Sequence, residues 1–222
     1  MGSLSADDIK LSGWSFPAQE PNSLLLQLSI KRIVDVLCCA FMLLLLLPVF
    51  IVAAVCVRLS STGPVLYKQE RYGWRGSKFV CLKFRSMFVN NKTAIDYQGH
   101  DGRPGVLRTT LTPVTGIGRW LRRTSIDELP QLLNVLKGEM SIVGPRPLPP
   151  YLLDPYPEFR AVREWVRPGI TGLWQVCARD RKATALDMVP YDLEYITKIS
   201  LWLDFKILLK TLMAVFSGKG AL

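Results

Sequence analysis

A single histidine, His100, stands in this chain of 222 residues, and its scarcity removes most imidazole chemistry at the outset. A Ser-His-Asp or Cys-His arrangement has almost no raw material here. His100 itself lies among Gly and Asp and reads as a surface loop residue. Cysteine occurs five times, but never as CxxC and never beside a histidine, so neither a zinc site nor a disulfide framework is indicated. A reducing, cytosol-facing location follows. The phosphate loop GxxxxGK(S/T) and the nucleophile elbow GxSxG are both missing.

Charge is also missing, over one long interval. From Val36 to Val57 there are 22 consecutive uncharged residues, with Leu43 to Leu47 in succession. A helix of that length reaches across a hydrocarbon core of about 30 Å. The run is too long, and begins too late, for a secretory signal peptide. Pro48 sits near its middle, where it removes a backbone hydrogen bond and favours a kink. Lys31 and Arg32 precede the run, and Arg58, Lys68, Arg71, Arg75 and Lys78 follow it, so flanking charge does not choose an orientation. Two arrangements fit: a helix that enters, bends at Pro48 and leaves by the same face, or a single spanning anchor that tolerates its proline. Asp35, at the edge of the run, shares a helix face with Lys31 and Arg32 and is expected to pair with them.

Positive charge is abundant. Lys and Arg number 28 against 18 Asp and Glu, a net charge of +10, while 49% of residues are hydrophobic. A nucleic-acid binder would share the charge, but rarely the apolar content, and no recognition motif is present. The partner that fits both properties is an anionic membrane surface, or a phosphorylated substrate lying on it. The length allows one ordinary domain with an appendage. We divide the chain into an N-terminal extension (1–28), a membrane helix (29–60) and a cytosolic domain (61–222). Val65-Leu66-Tyr67 and Lys78 to Phe84 read as short strands around a Gly73 to Gly76 loop. Residues 90–116 read as a loop. Leu129, Leu132, Leu133 and Leu136 recur with helical spacing, and Gly138 is the stop. Residues 191–216 read as a helix that either lies in the membrane interface, with Trp202 at headgroup depth, or packs onto the domain's own core.

The chemistry concentrates in RRTSIDELPQLLNVLKGEMSIVGPRP, from Arg122 to Pro147. It sets the adjacent carboxylates Asp127 and Glu128 between Arg122-Arg123 and a Pro145-Arg146-Pro147 turn. Ser125 and Glu128 have capping-box spacing, so the bland account is a pair of first-turn acids that complement a helix dipole. Pro130 conflicts with that account, because it would fall beyond the first turn. An unusual backbone there would aim both acids outward as a pair. Carboxylates can hold Mg²⁺ together with substrate phosphates, or attack phosphorus to form an acyl-phosphate. Arg122, Arg146, Lys83 and Arg85 are the candidate phosphate clamps. The rival account is a non-catalytic basic module that binds membrane lipid, but it gives no reason for Asp127-Glu128 beside the arginines.

These blocks, with Lys31-Arg32 and Asp35, Lys68 to Gly76 (KQERYGWRG), Lys83 to Met87 (KFRSM), Arg167 to Val176 (RPGITGLWQV) and Ser200 to Leu209 (SLWLDFKILL), closely resemble the bacterial sugar transferases, the monotopic phosphoglycosyl transferases. The resemblance covers about residues 30–212. It implies an α+β membrane-associated fold: a re-entrant helix broken at Pro48 and a small mixed catalytic domain of short strands and amphipathic interfacial helices. It implies a catalytic dyad at Asp127 and Glu128, with Asp127 taking a phosphosugar covalently from a UDP-sugar, releasing UMP, and passing it to undecaprenyl phosphate. Mg²⁺, held through Asp127, is the implied cofactor. The implied setting is the cytoplasmic face of a bacterial inner membrane, at the first membrane step of exopolysaccharide or lipopolysaccharide assembly. With about 30 residues ahead of the catalytic part, a minimal form is expected. The chain departs from the family at Leu47-Pro48, Cys177-Ala178 and Lys198-Ile199, where Ser-Pro, Ser-Gly and Asn-Trp are usual.

Overall fold

The computed structural model describes residues 22–89, 113–178 and 185–217, so His100 and most of the expected 90–116 loop fall outside the described residues. The Leu-, Ile- and Val-rich N-terminal run has no glycine to interrupt it and forms one helix, α1 (Asn22–Ser60). At 1.5 Å per residue this helix is about 58 Å long. It continues through Pro48 as one element rather than as two helices joined by a break. It is long and apolar enough to cross a membrane, and only 11% of its most apolar stretch is buried within the protein, which separates it from the core helix of a soluble domain. It also begins earlier than the 28/29 boundary. Leu24 and Leu28 are buried, so packing onto the core draws residues 22–28 into the helix.

Two β-ribbons follow. The first is an antiparallel hairpin of β1 (Leu66–Tyr72) and β2 (Lys78–Phe84), joined through a 3₁₀ turn (Trp74–Gly76). The second is a short parallel pair, β3 (Ser141–Val143) with β4 (Gly169–Thr171). Around them lie α2 (Gly116–Arg123), a 3₁₀ turn (Ile126–Glu128), α3 (Gln131–Lys137), α4 (Pro150–Leu153), α5 (Pro157–Arg163), α6 (Leu173–Cys177), α7 (Ala185–Thr197) and α8 (Leu201–Ser217). The helix expected over 191–216 is thus two helices. Asp204 near the start of α8 is buried, and the Ser200 hydroxyl accepts from the Leu203 N–H, capping a new start.

The main core gathers Phe79 and Cys81 of β2, Leu132 and Val135 of α3, Phe159 of α5, Tyr195 of α7 and Ile207 of α8. A smaller cluster, Ala53, Val57, Phe84 and Leu121, lies under the second half of α1. Both halves of α1 are therefore tied to the same body. In the first half, Lys31 Nζ donates to Asp204 at 2.6 Å, and Asp35 accepts from Ser141 Oγ at 2.6 Å and from the Ile142 N–H. The expected Lys31–Asp35 pairing is present at 3.6 Å, while Arg32 instead donates to the carbonyls of Val135 and Leu136 at the end of α3. In the second half, Arg85 donates to the carbonyls of Val57, Ser61 and Thr62.

The outward face of α1 remains apolar, with Phe41, Leu44, Leu45 and Ile51 more than half exposed. On α8, Trp202 is 63% exposed, stacks on Phe205 and lies beneath Lys206. Fully buried Asn134 ties α3 to β2. Its Oδ1 accepts from the Leu82 N–H at 3.0 Å, and its Nδ2 donates to the Val80 carbonyl at 2.8 Å and to Glu139.

Candidate active site

The dyad lies where α2 gives way to α3. Thr115 caps α2 by accepting from the Gly118 N–H at 2.8 Å, and its own N–H donates to the Ser86 carbonyl. A Cβ at Gly118 would come within 1.9 Å of that carbonyl, so only glycine lets α2 approach so closely. One turn further along, Arg122 Nε donates to Ser86 Oγ at 2.8 Å.

The chain then reverses through Ser125, a non-glycine residue with φ of 57°. The capping box read from Ser125 and Glu128 does not form: the Ser125 side chain makes no cap bond, and the segment is a single 3₁₀ turn. The α-helix restarts at Gln131 with Pro130 in the flanking position, and ends at Gly138, whose φ is 86°. Within α3 the leucine stripe divides, because Leu132 is buried whereas Leu133 and Leu136 are 38% and 37% exposed.

This backbone gives the two carboxylates different surroundings rather than aiming both outward. Glu128 accepts from Lys83 Nζ at 2.6 Å and from Arg146 Nη2 at 3.2 Å. Burial alone would raise its pKa, but the two cations outweigh burial and hold it down at about 2. Asp127 is only 9% exposed. Burial, reinforced by the charge of Glu128, pushes its pKa up to about 6 despite the opposing pull of Lys83, Arg122 and Arg146. One acid is a fixed anion that organises cations; the other titrates near neutrality and has the cations close by. This separation of roles is typical of reactive carboxylate pairs.

The sequence-predicted residues are thus mostly brought together: Lys83 from β2, Arg122 from α2, Asp127 and Glu128 from the 3₁₀ turn, and Arg146 from the Pro-Arg-Pro turn. Arg85 is not. Its guanidinium is buried against the carbonyls that end α1, because β2 stops at Phe84 and the strand alternation that would align Arg85 with Lys83 no longer applies.

Residues not foreseen also contribute. Prolines carry no N–H, so the Pro145-Arg146-Pro147 turn is held by its carbonyls. The Pro145 carbonyl accepts from the Gly169 N–H, that of Pro147 from Arg71 Nη1 at 3.1 Å, and that of Arg146 from Arg163 Nη2. Arg163 Nη1 in turn donates to Asp192. Arg71 and Ser86 lie inside the quoted KQERYGWRG and KFRSM blocks and could have been found there. Arg163 and Asp192 carry no local signal.

Among the described residues no three His, Cys, Asp or Glu side chains gather as a metal cage. Glu128 is committed to Lys83 and Arg146, which leaves Asp127 as the carboxylate for a cation. That donor set fits Mg²⁺, which commonly takes one or two carboxylates and completes its shell with water and substrate phosphates.

The family model described as bacterial sugar transferase matches residues 26–218. The chain is 40% identical over 201 residues to the UDP-glucose:undecaprenyl-phosphate glucose-1-phosphate transferase of Escherichia coli K12, covering 86% of this chain and 41% of that protein. It is 43% identical to the undecaprenyl-phosphate glucose phosphotransferase of Komagataeibacter xylinus, covering 86% and 36%. It is 37% identical to the exopolysaccharide production protein ExoY of Rhizobium meliloti, covering 86% and 87%. The chain therefore spans less than half the length of the first two relatives and most of the third. With the family's pattern running through α1, the dyad and α8 alike, the chain belongs to the bacterial sugar transferase family.

Proposed function

We propose that this protein transfers a sugar-1-phosphate from a UDP-sugar to undecaprenyl phosphate, giving undecaprenyl-diphosphate sugar and UMP. The observation that carries this reading is the split between the two carboxylates: Glu128 neutralised by Lys83 and Arg146, and Asp127 buried beside them with a pKa of about 6. A carboxylate oxygen of Asp127 attacks the phosphorus that bears the sugar. The bond from that phosphorus to the bridging oxygen breaks, and UMP leaves with the electron pair. A phosphate oxygen of undecaprenyl phosphate then attacks the same phosphorus, and the acyl-phosphate bond breaks to return the Asp127 carboxylate. Lys83, Arg122 and Arg146 hold phosphate oxygens, and positioning with charge neutralisation is most of what such a reaction asks of a protein. Mg²⁺, held by Asp127 with donor phosphate oxygens, would supply further neutralisation of the diphosphate.

The acceptor is a membrane lipid, and α1 with α8 offers the surface that meets it. We place both ends of α1 on one membrane face, as a re-entrant helix with Pro48 as its bend, and the catalytic body on the cytoplasmic face of the inner membrane. What supports this is that Lys31 and Asp35 at one end, and Val57 to Thr62 at the other, touch the same globular layer. One relative is named for exopolysaccharide production, and we place this chain at an early membrane step of such glycan assembly.

The test is UMP release by detergent-solubilised protein from a panel of UDP-sugars, beginning with UDP-glucose, with undecaprenyl phosphate and Mg²⁺. Acceptor-dependent UMP from one donor, abolished by Asp127→Asn, is the expected result. Lipid binding without turnover on any donor would overturn the reading in favour of a basic lipid-binding module.

A further inference from the structure

Arg146 reaches Glu128 from a turn whose backbone is held by groups outside the dyad. Flanked by Pro145 and Pro147, it sits in a turn whose carbonyls are bound by donors from three different elements: Gly169 of β4, Arg163 of α5 and Arg71 of β1. Arg163 differs from the other two. It is 7% exposed, closes α5, and is neutralised by Asp192 of α7, which is 3% exposed. A buried ion pair contributes little net stability compared with a well-packed apolar pair, so stability alone gives little reason to place one here. An apolar pair could not, however, present two N–H groups in a rigid fork, one to a carboxylate and one to a carbonyl.

We propose that Arg163, oriented by Asp192, is a positioning residue for the transfer reaction, acting through the Arg146 carbonyl to aim the Arg146 guanidinium at the phosphate site. This rests on the proposed function. Neither Arg163 nor Asp192 touches the reacting atoms; their part is to fix one rotation of the turn.

The experiment is a kinetic double-mutant cycle on the full chain in detergent, with Arg163→Lys, Arg146→Ala and the double variant, reading kcat and donor KM with the UDP-sugar and undecaprenyl phosphate. An ammonium can still pair with Asp192, but it does not span to the Arg146 carbonyl as well. The single Arg163→Lys variant is expected to lose about 10- to 100-fold in kcat with donor KM within about 3-fold, since small misplacements cost that much. In the Arg146→Ala background the same change is expected to cost almost nothing more, because its route to the chemistry is gone. Equal losses in both backgrounds would overturn the proposal, as would a loss that merely tracks the fraction of folded protein in thermal melts. Should Arg163→Lys not fold, Asp192→Asn, which keeps the shape and removes the orienting charge, takes its place in the same cycle. If the unaltered protein releases no acceptor-dependent UMP from any donor, the transferase reading has failed and this inference with it. If it does release UMP, but Arg146→Ala leaves release intact or the cycle is additive, only the inference has failed.

Discussion

Asp127 and Glu128 are neighbours whose effects on stability have opposite signs. The folded-state pKa of Asp127, about 6, lies above its ordinary 3.8, so the stability from binding that proton is fully present below about 3.8 and is lost as pH rises through about 6. At neutral pH the ionised side chain is therefore a burden on the order of 2–3 kcal/mol. Asp127→Asn is expected to raise the melting temperature at pH 7 while eliminating UMP release, and the gain should shrink when the melt is repeated at pH 4. If Asp127 attacks as proposed, donor turnover in the unaltered protein should also fall as acidification protonates its carboxylate. Glu128 behaves in the opposite way. Its pKa is held at about 2, below its ordinary 4.5, so its contribution is present above about 4.5 and disappears as pH falls through about 2. Glu128→Gln is expected to destabilise by about 2 kcal/mol at pH 7, read as a lower midpoint in urea, because Lys83 and Arg146 lose their partner. The sequence identified this pair, because two acids beside arginines are chemically conspicuous. It could not assign their separate roles, which depend on Lys83, 45 residues away, arriving at Glu128 rather than at Asp127.

At the scale of elements, arginines set the joints. Arg85 closes the end of α1, and Arg32 and Arg167 close the end of α3 through the carbonyls of Val135, Leu136 and Gly138. Arg85→Ala is expected to cost about 2–4 kcal/mol in chemical unfolding, with donor KM in the surviving folded protein within about 2-fold of the original. A large rise in KM at full stability would return Arg85 to the substrate site. Gly118→Ala should push α2 away from Ser86 and carry Arg122 with it, at about 1–3 kcal/mol of stability and roughly a hundredfold in turnover. A fully active, equally stable variant would show that α2 can shift without consequence. Helix α3 and strand β2 were legible because leucine spacing, Gly138 and the alternation from Lys78 to Phe84 are local signals. Failure came where two local rules competed. Ser125 and Glu128 have the spacing of a capping box, but Pro130 forces the helix to restart later, and the left-handed Ser125 turn that results has no sequence signature beyond that conflict. The break before α8 was missed for a related reason: buried Asp204 serves the Lys31–Tyr195 network rather than a solvent face.

For the whole molecule the decisive arrangement is a long helix fastened at both halves to one body. In a background with the natural cysteines replaced, Ser29→Cys and Thr62→Cys should both react with a membrane-impermeant maleimide from the same side of oriented vesicles. Labelling from opposite sides would make α1 a spanning anchor. The apolar run that announces a membrane was plain in the sequence, but the fastening was not, since it pairs residues more than 100 positions apart, as in Asp35 with Ser141 and Lys31 with Asp204. Asn134 has a consequence of another kind. β2 pairs with β1 along one edge, and along the other the Leu82 N–H and Val80 carbonyl are taken up by a side-chain amide standing where a third strand would lie. An open edge of that kind is a template on which a second copy of a chain can add its own strand. A single amide thus closes this edge of the ribbon, at Val80 and Leu82, to a further strand.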